Sequence, residues 1–304
     1  MTGRTLRIYL VDGSPTGVLT AEIMNWTGKV TVGPRSGLAE MAKRAEVKRT
    51  GIYLLTGPDP ENTTRDRVYV GEGDNVLTRL TKHEGDEARD FWTRTVIVTS
   101  KDENLTKAHV RYLESRLIQI INQANRAVLD NGTAPPAPPL PEPDVADMEF
   151  FLEQVQLVLP VLGFSFTQPR PATGIEATTT PGGPPSPLFV MNPVGTSARA
   201  QEIDGEFVVL KGSTARKQGI PSWTSYKALR DQLVQEGKLA GGPNPSLYVF
   251  TEDVPFNSPS AAAAVVFGGN QRGPLVWRTE EGSRNYRAWQ EEKLKQAGVK
   301  LTGG

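Results

Sequence analysis

The chain has 304 residues, 38% of them hydrophobic, and its 34 basic and 34 acidic side chains cancel at neutral pH. That is enough apolar material for two cores, and no overall field draws the whole molecule onto nucleic acid or an anionic membrane. With no cysteine and only His83 and His109, disulfides, thiolate chemistry, cysteine zinc sites and histidine-rich metal centres are excluded, whereas a hard cation on carboxylate oxygen is compatible.

The N-terminus lacks an apolar signal core, and no apolar run approaches the roughly 18 residues of a membrane helix, so a cytoplasmic protein of bacterial style with no membrane partner is expected. Thr5 to Val32 alternates apolar and polar residues around turns at Asp12-Gly13-Ser14-Pro15 and Thr27-Gly28, which predicts two or three short strands. A short helix over Leu38 to Ala45 follows. Residues 1–48 thus read as a β-rich extension, with Trp26 as a core or edge aromatic and no chemistry of its own.

Residues 49–131 carry the informative pattern. Gly51-Ile52-Tyr53-Leu54-Leu55 and Val68-Tyr69-Val70-Gly71 are short strands separated by turn material, Gly57-Pro58-Asp59-Pro60 and Asn62 to Asp66, and read as antiparallel neighbours. Val76 to His83 is a helix capped by Asp74 or Asn75, with Arg79 and His83 on one face. A strand over Thr95 to Thr99 and a long helix from about Leu105 to Ala124 complete an α+β unit. In that helix Leu113, Leu117, Ile120, Ile121 and Ala124 form the buried stripe, and Glu114 lies at its edge. A carboxylate beside such a stripe needs a partner, and a salt bridge to Arg79 or Arg111 is the bland alternative to chemistry. Each tyrosine alone reads as sheet core, Arg79 and His83 alone as surface residues.

Gly132 to Pro143 is a proline-rich, semi-rigid spacer, followed by a helical piece from Met148 to Leu162 broken near Pro160 and a second linker from about Gln168 to Pro187. Residues 132–187 are therefore expected to separate two domains. The second, residues 188–290, is predicted to be a small α+β domain. Its strands are Leu188 to Met191, Glu206 to Leu210 and Leu247 to Phe250, and its first helix runs from Tyr226 to Glu236, closed by Gly237. Another helix starts at Ser258-Pro259-Ser260, with serine as the cap. Lys211, Arg216 and Lys217 make a basic loop, and the Ser258 helix start offers backbone N–H groups suited to a phosphate, with a solvated loop and an ordinary cap as the bland alternative. Residues 291–304 are a charged tail.

In order and spacing, Gly51-Ile52-Tyr53, Tyr69-Val70-Gly71, Arg79, His83 and Glu114 resemble the motifs of the GIY-YIG nucleases. The resemblance implies a core of a small antiparallel three-stranded sheet flanked by helices, and a hydrolase that cuts DNA phosphodiesters with Mg²⁺ or Mn²⁺. It implies Tyr53 as general base, Tyr69 as water or phosphate ligand, Arg79 on the phosphate, His83 beside it and Glu114 as sole metal ligand. The family asparagine after the glutamate helix falls on Asn131 or Asn125, with Asn131 preferred because it follows the helix. Glu72 and Asp74 depart from the pattern by placing acid beside the second motif. Residues from about Phe207 to Trp277 resemble the uncharacterised domain that often follows such nuclease domains in bacteria, which implies help in substrate selection. The rival expectation is a nucleic-acid-binding or regulatory protein that keeps the fold without turnover.

Overall fold

The computed structural model describes residues 3–61, 65–132, 134–168, 186–193, 195–203, 205–242 and 244–296. The chain forms two compact units, Met1–Arg170 and Pro171–Gly304, both mixed α+β. Most of the second linker, residues 169–185, and the end of the charged tail, residues 297–304, lie outside the described residues.

The first unit contains β1 (Leu6–Leu10), β2 (Leu19–Ile23), β3 (Gly28–Pro34), α1 (Leu38–Met41), β4 (Gly51–Pro58), β5 (Asp66–Gly73), α2 (Val76–Glu84), β6 (Arg94–Ser100), α3 (Lys107–Ala124), β7 (Ala127–Leu129) and α4 (Glu142–Val161). Its strands form one seven-stranded sheet in the order β1-β2-β3-β6-β4-β5-β7. Instead of the small three-stranded sheet expected, the antiparallel neighbours β6, β4 and β5 are the middle of this wider sheet. The N-terminal strands are part of that sheet rather than packed on it, because β3 pairs with β6 from Gly28↔Ser100 to Pro34↔Arg94. The closing strand β7 pairs parallel to β5, through Asp66↔Ala127 to Val68↔Leu129.

Side-chain alternation divides the sheet into two faces. Ile52 and Leu54 of β4 with Val68 and Val70 of β5 face α3 and α4. Tyr53 and Leu55 face the opposite side, with Val76 and Leu80 of α2, Met41 of α1 and Trp92. The boundary expected at Gly132 does not end the packed unit. Ser115 Oγ donates to Pro135 O at 2.7 Å, and α4 contributes Phe151, Leu152, Val155, Val158 and Leu159 to the same core as α3. Helix α4 begins at Glu142, six residues before the predicted start at Met148. Pro143 fits its first turn, where no intrahelical donor is required. Pro160 lies in its last turn, so the helix ends there instead of kinking.

The second unit holds a five-stranded sheet, β14-β10-β9-β8-β15, and a three-stranded sheet, β11-β13-β12. The strands are β8 (Phe189–Met191), β9 (Ala198–Ile203), β10 (Glu206–Val209), β11 (Thr214–Arg216), β12 (Leu239–Gly241), β13 (Leu247–Phe250), β14 (Val254–Phe256) and β15 (Arg278–Thr279). The helices are α5 (Lys227–Gln235), α6 (Pro259–Phe267), α7 (Gly273–Val276) and α8 (Tyr286–Gln296). Helix α6 is apolar all round from Ala261 to Val266 and is buried on every side, as such a sequence must be. Ser258 caps it by accepting from Ala261 N at 3.1 Å. Past α5, Gly237 takes φ +70°, the left-handed conformation that ends the helix. Among the described residues no helix is long and apolar enough to cross a membrane.

Candidate active site

The site is built at one end of the β4-β5 pair, and glycine makes it possible. In register, Tyr53 stands opposite Gly71, and Leu55 opposite Tyr69. A Cβ on Gly71 would lie 2.4 Å from both Cζ and Oη of Tyr53, so the phenol occupies the space that any other residue would fill. Gly51 is equally constrained, because a Cβ there would meet Val98 O of β6 at 2.5 Å. At Gly73 a Cβ would meet Cγ of Arg79 at 2.8 Å, so the arginine stem crosses the end of β5. The glycines of both motifs are thus packing requirements created by their neighbours.

On the α2 face three rings touch. Tyr53 Oη and His83 Nε2 are 2.7 Å apart, and ring centroids lie 6.2 Å apart for Tyr53–Tyr69, 5.6 Å for Tyr53–His83 and 5.2 Å for Tyr69–His83. Tyr53 is fully buried and His83 is 8% exposed, while Tyr69 is half-buried. The Arg89 guanidinium sits 4.4 Å over the Tyr69 ring. Nothing in the local sequence pattern pointed to Arg89, which tertiary packing brings there.

Burial sets the protonation states. It pushes the Tyr53 phenol well above its ordinary value, Tyr69 adds to the rise, and the nearby Arg79 guanidinium opposes it. It also holds His83 below its ordinary value, assisted by the positive charges of Arg89 and Arg79. Tyr53 is therefore a neutral phenol and His83 a neutral imidazole at neutral pH, with Nε2 free to accept the phenol proton. Arg79 is held in its charged form, since Tyr53, Tyr69 and Glu72 together outweigh its own desolvation.

Glu114 comes from the other face. Val110, Leu113 and Leu117 anchor α3 in the core, which holds Glu114 half-buried at the margin. Among the described residues it makes no hydrogen bond or ion pair, so neither Arg79 nor Arg111 forms the salt bridge considered above. Desolvation, then the charge of Glu72, push its carboxyl up to about 7, against the pull of Arg79, Lys107 and Arg111. Glu72 alternates to the α3 face beside Val70, where Lys107 Nζ binds it at 2.6 Å and also reaches Asp74 at 3.6 Å. The first turn of α3 thus sets one positive charge against the two acids beside the second motif. The charge of Arg79 acts on both Tyr53 and Glu114.

The remaining predicted residues have structural roles. Asn131 accepts from Val70 N and donates to Val70 O, both at 2.8 Å, so its amide replaces a strand neighbour at the open edge of β5 just beyond β7. Asn125 is the left-handed cap of α3 at φ +48°, and Arg65 donates to its backbone and side-chain oxygens at 3.0 and 3.1 Å. Asn75, not Asp74, caps α2, accepting from Thr78 N at 3.2 Å. In the second unit the expected basic loop is divided, because Arg216 ends strand β11; Arg216 lies 5.2 Å from the Phe267 ring and Lys217, just past the strand, 5.4 Å from the Tyr248 ring.

The donor set fits a hard divalent cation. Glu114 is a carboxylate without a partner among the described residues, and Glu72 is the acid whose charge acts on it. Among the described residues no group of three or more acidic or histidine side chains is placed to hold a metal ion, so a cation taken up here would have at most these two carboxylates from the protein.

Residues 188–290 match the family described as "Domain of unknown function (DUF4357)". This agrees with the resemblance seen across Phe207 to Trp277. No curated protein and no solved structure matches the chain.

Proposed function

We propose that the first unit is a divalent-metal-dependent endonuclease of the GIY-YIG type, cutting DNA phosphodiester bonds, with the second unit helping to select or hold the substrate. The observation that carries this reading is the meeting of three different chemistries at one sheet end: a hydrogen-bonded phenol–imidazole pair, a charged arginine fork, and a half-buried carboxylate without a partner. Packing alone accounts for the rings, but not for the carboxylate.

In this reading Glu114, with Glu72 nearby, holds Mg²⁺ or Mn²⁺, which when bound supplies Lewis-acid charge at the phosphate. Arg79 supplies a planar two-pronged donor for the other phosphate oxygens as negative charge grows on them. Tyr69, half-buried at the cluster's edge, orients water or phosphate. Tyr53 cannot start as a phenolate, because burial keeps its proton on. It acts instead as a relay that requires the ring cluster to open and admit water to its buried Oη: as water oxygen bonds to phosphorus and the P–O bond to the leaving sugar breaks, the water proton passes to Tyr53 Oη while its own proton passes to His83 Nε2, 2.7 Å away. The leaving alkoxide takes its proton from solvent.

The test is nicking of plasmid, branched and flapped DNA with Mg²⁺ or Mn²⁺. Glu114→Ala and Arg79→Ala should each abolish cutting in a protein that still folds. Unchanged cleavage in both variants would refute the site. DNA binding that survives Glu114→Ala, with no metal-dependent cutting by the parent, would instead favour a binding protein built on the same fold.

A further inference from the structure

The first unit has a second concave feature. A cavity of about 280 Å³ lies where the β2–β3 turn, the segment before α3 and the first turns of α4 converge. Trp26 and Phe151, each 4% exposed and with ring centroids 5.1 Å apart, contribute its aromatic wall. Phe150, 53% exposed, stands at its rim. Its volume is near the lower end of the small-molecule range of roughly 300–1,000 Å³.

Helix α4 explains how an apolar wall comes to carry an acidic mouth. Asp144, Asp147, Met148 and Phe151 recur at helical spacing and so share a face, the one that continues into the core through Leu152 and Val155. Two carboxylates stand where that stripe would otherwise be apolar. Asp144, in the first turn, suits the helix dipole, whereas Asp147 lies a turn further on, where the dipole does not account for it.

His109 orients one of them. Thr106 N donates to its Nδ1 at 3.3 Å, which turns Nε2 toward Asp144 Oδ2, 3.5 Å away. No lysine or arginine is among the lining residues, and Asp147 has no ion pair among the described residues. An anion would meet two carboxylates, and a hydrocarbon would cover Asp144, whose partner is His109, and the exposed Asp147 while offering neither a hydrogen bond. A ligand with a positive head and an apolar body answers both halves of the lining, through charge-assisted hydrogen bonds to the acids and contact with the rings.

The geometry points to a binding site for a small organic cation, a protonated amine or guanidinium on a short alkyl or aryl body. Calorimetric titration of the full chain tests this with benzylammonium and agmatine as probes, and with benzoate as the probe of the same shape and opposite charge. Saturable one-to-one binding of either cation, none of benzoate, and a loss of about tenfold or more in affinity in Asp144→Asn/Asp147→Asn is the expected result. Asn104→Trp, which fills the mouth from an exposed loop position, should abolish binding at unchanged thermal stability, and serves if the double variant does not fold. Absence of saturable binding by both cations, equal binding of benzoate, or full affinity in the variants would overturn the assignment.

Discussion

Replacing Gly71 with alanine isolates the packing that creates the ring cluster. In an ordinary strand the exchange is favourable by roughly 0.5–1 kcal/mol, because glycine loses more freedom on folding. Here the new methyl would lie 2.4 Å from Cζ and Oη and 2.9 Å from Cε1 of Tyr53. Ordinary contact is about 3.5–4 Å, so the ring must retreat by about 1 Å. It has little room, being fully buried between Tyr69 and His83, and forced overpacking of this kind costs about 1–3 kcal/mol. Retreat also breaks the Oη···Nε2 hydrogen bond, for about 1 kcal/mol more. The expected result is a net loss of about 1–3.5 kcal/mol, opposite in sign to the usual glycine-to-alanine change. Urea unfolding followed through the amide signals of β4 and β5 reads the first unit separately. In a Tyr53→Ala background the cost of Gly71→Ala should vanish. Unaltered or increased stability in Gly71→Ala, or the same penalty with and without Tyr53, would refute the reasoning.

Glu114 should make the first unit less stable as pH rises. Its folded value is raised, so its contribution is fully present below about 4.5 and is lost as pH climbs through about 7. Discounted for partial exposure, the loss is on the order of 1–2 kcal/mol. Glu114→Gln should remove this slope from urea midpoints between pH 5 and pH 8, and an unchanged slope would count against the assignment. In the parent at pH 8, Mg²⁺ or Mn²⁺ should raise the unfolding midpoint, and in Glu114→Gln it should not. Asn131→Ala strips the β5 edge of two hydrogen bonds and should cost about 1–3 kcal/mol, with faster amide exchange at Val70 as its local signature. Leu152→Ala tests whether α4 belongs to the first core: a loss of about 2–5 kcal/mol is expected, and a neutral result would return α4 to the linker.

Local pattern was enough for the strand pair, the two flanking helices and the second unit's capped helices, because each depends on neighbours within a few residues. Helical spacing placed Glu114 beside the stripe of α3, and alternation placed the two tyrosines on strands. Which face each residue joins depends on register, which the chain discloses only when β4 meets β5. That meeting puts Tyr53 against Gly71, brings His83 to its hydroxyl, and sends Glu72 to the α3 side where Lys107 binds it. Residues far apart in the chain meet the same way: Arg89 reaches Tyr69, and Asn131 reaches the backbone of Val70. The proline-rich stretch shows the limit most plainly. Proline composition reports local stiffness, but whether the following helix finds an apolar surface to cover is settled by what lies opposite, and α3 lies there. By itself, then, the sequence determined the elements and the types of group available for chemistry. Tertiary structure decided which groups meet, which are desolvated, and therefore which carboxylate is left without a partner.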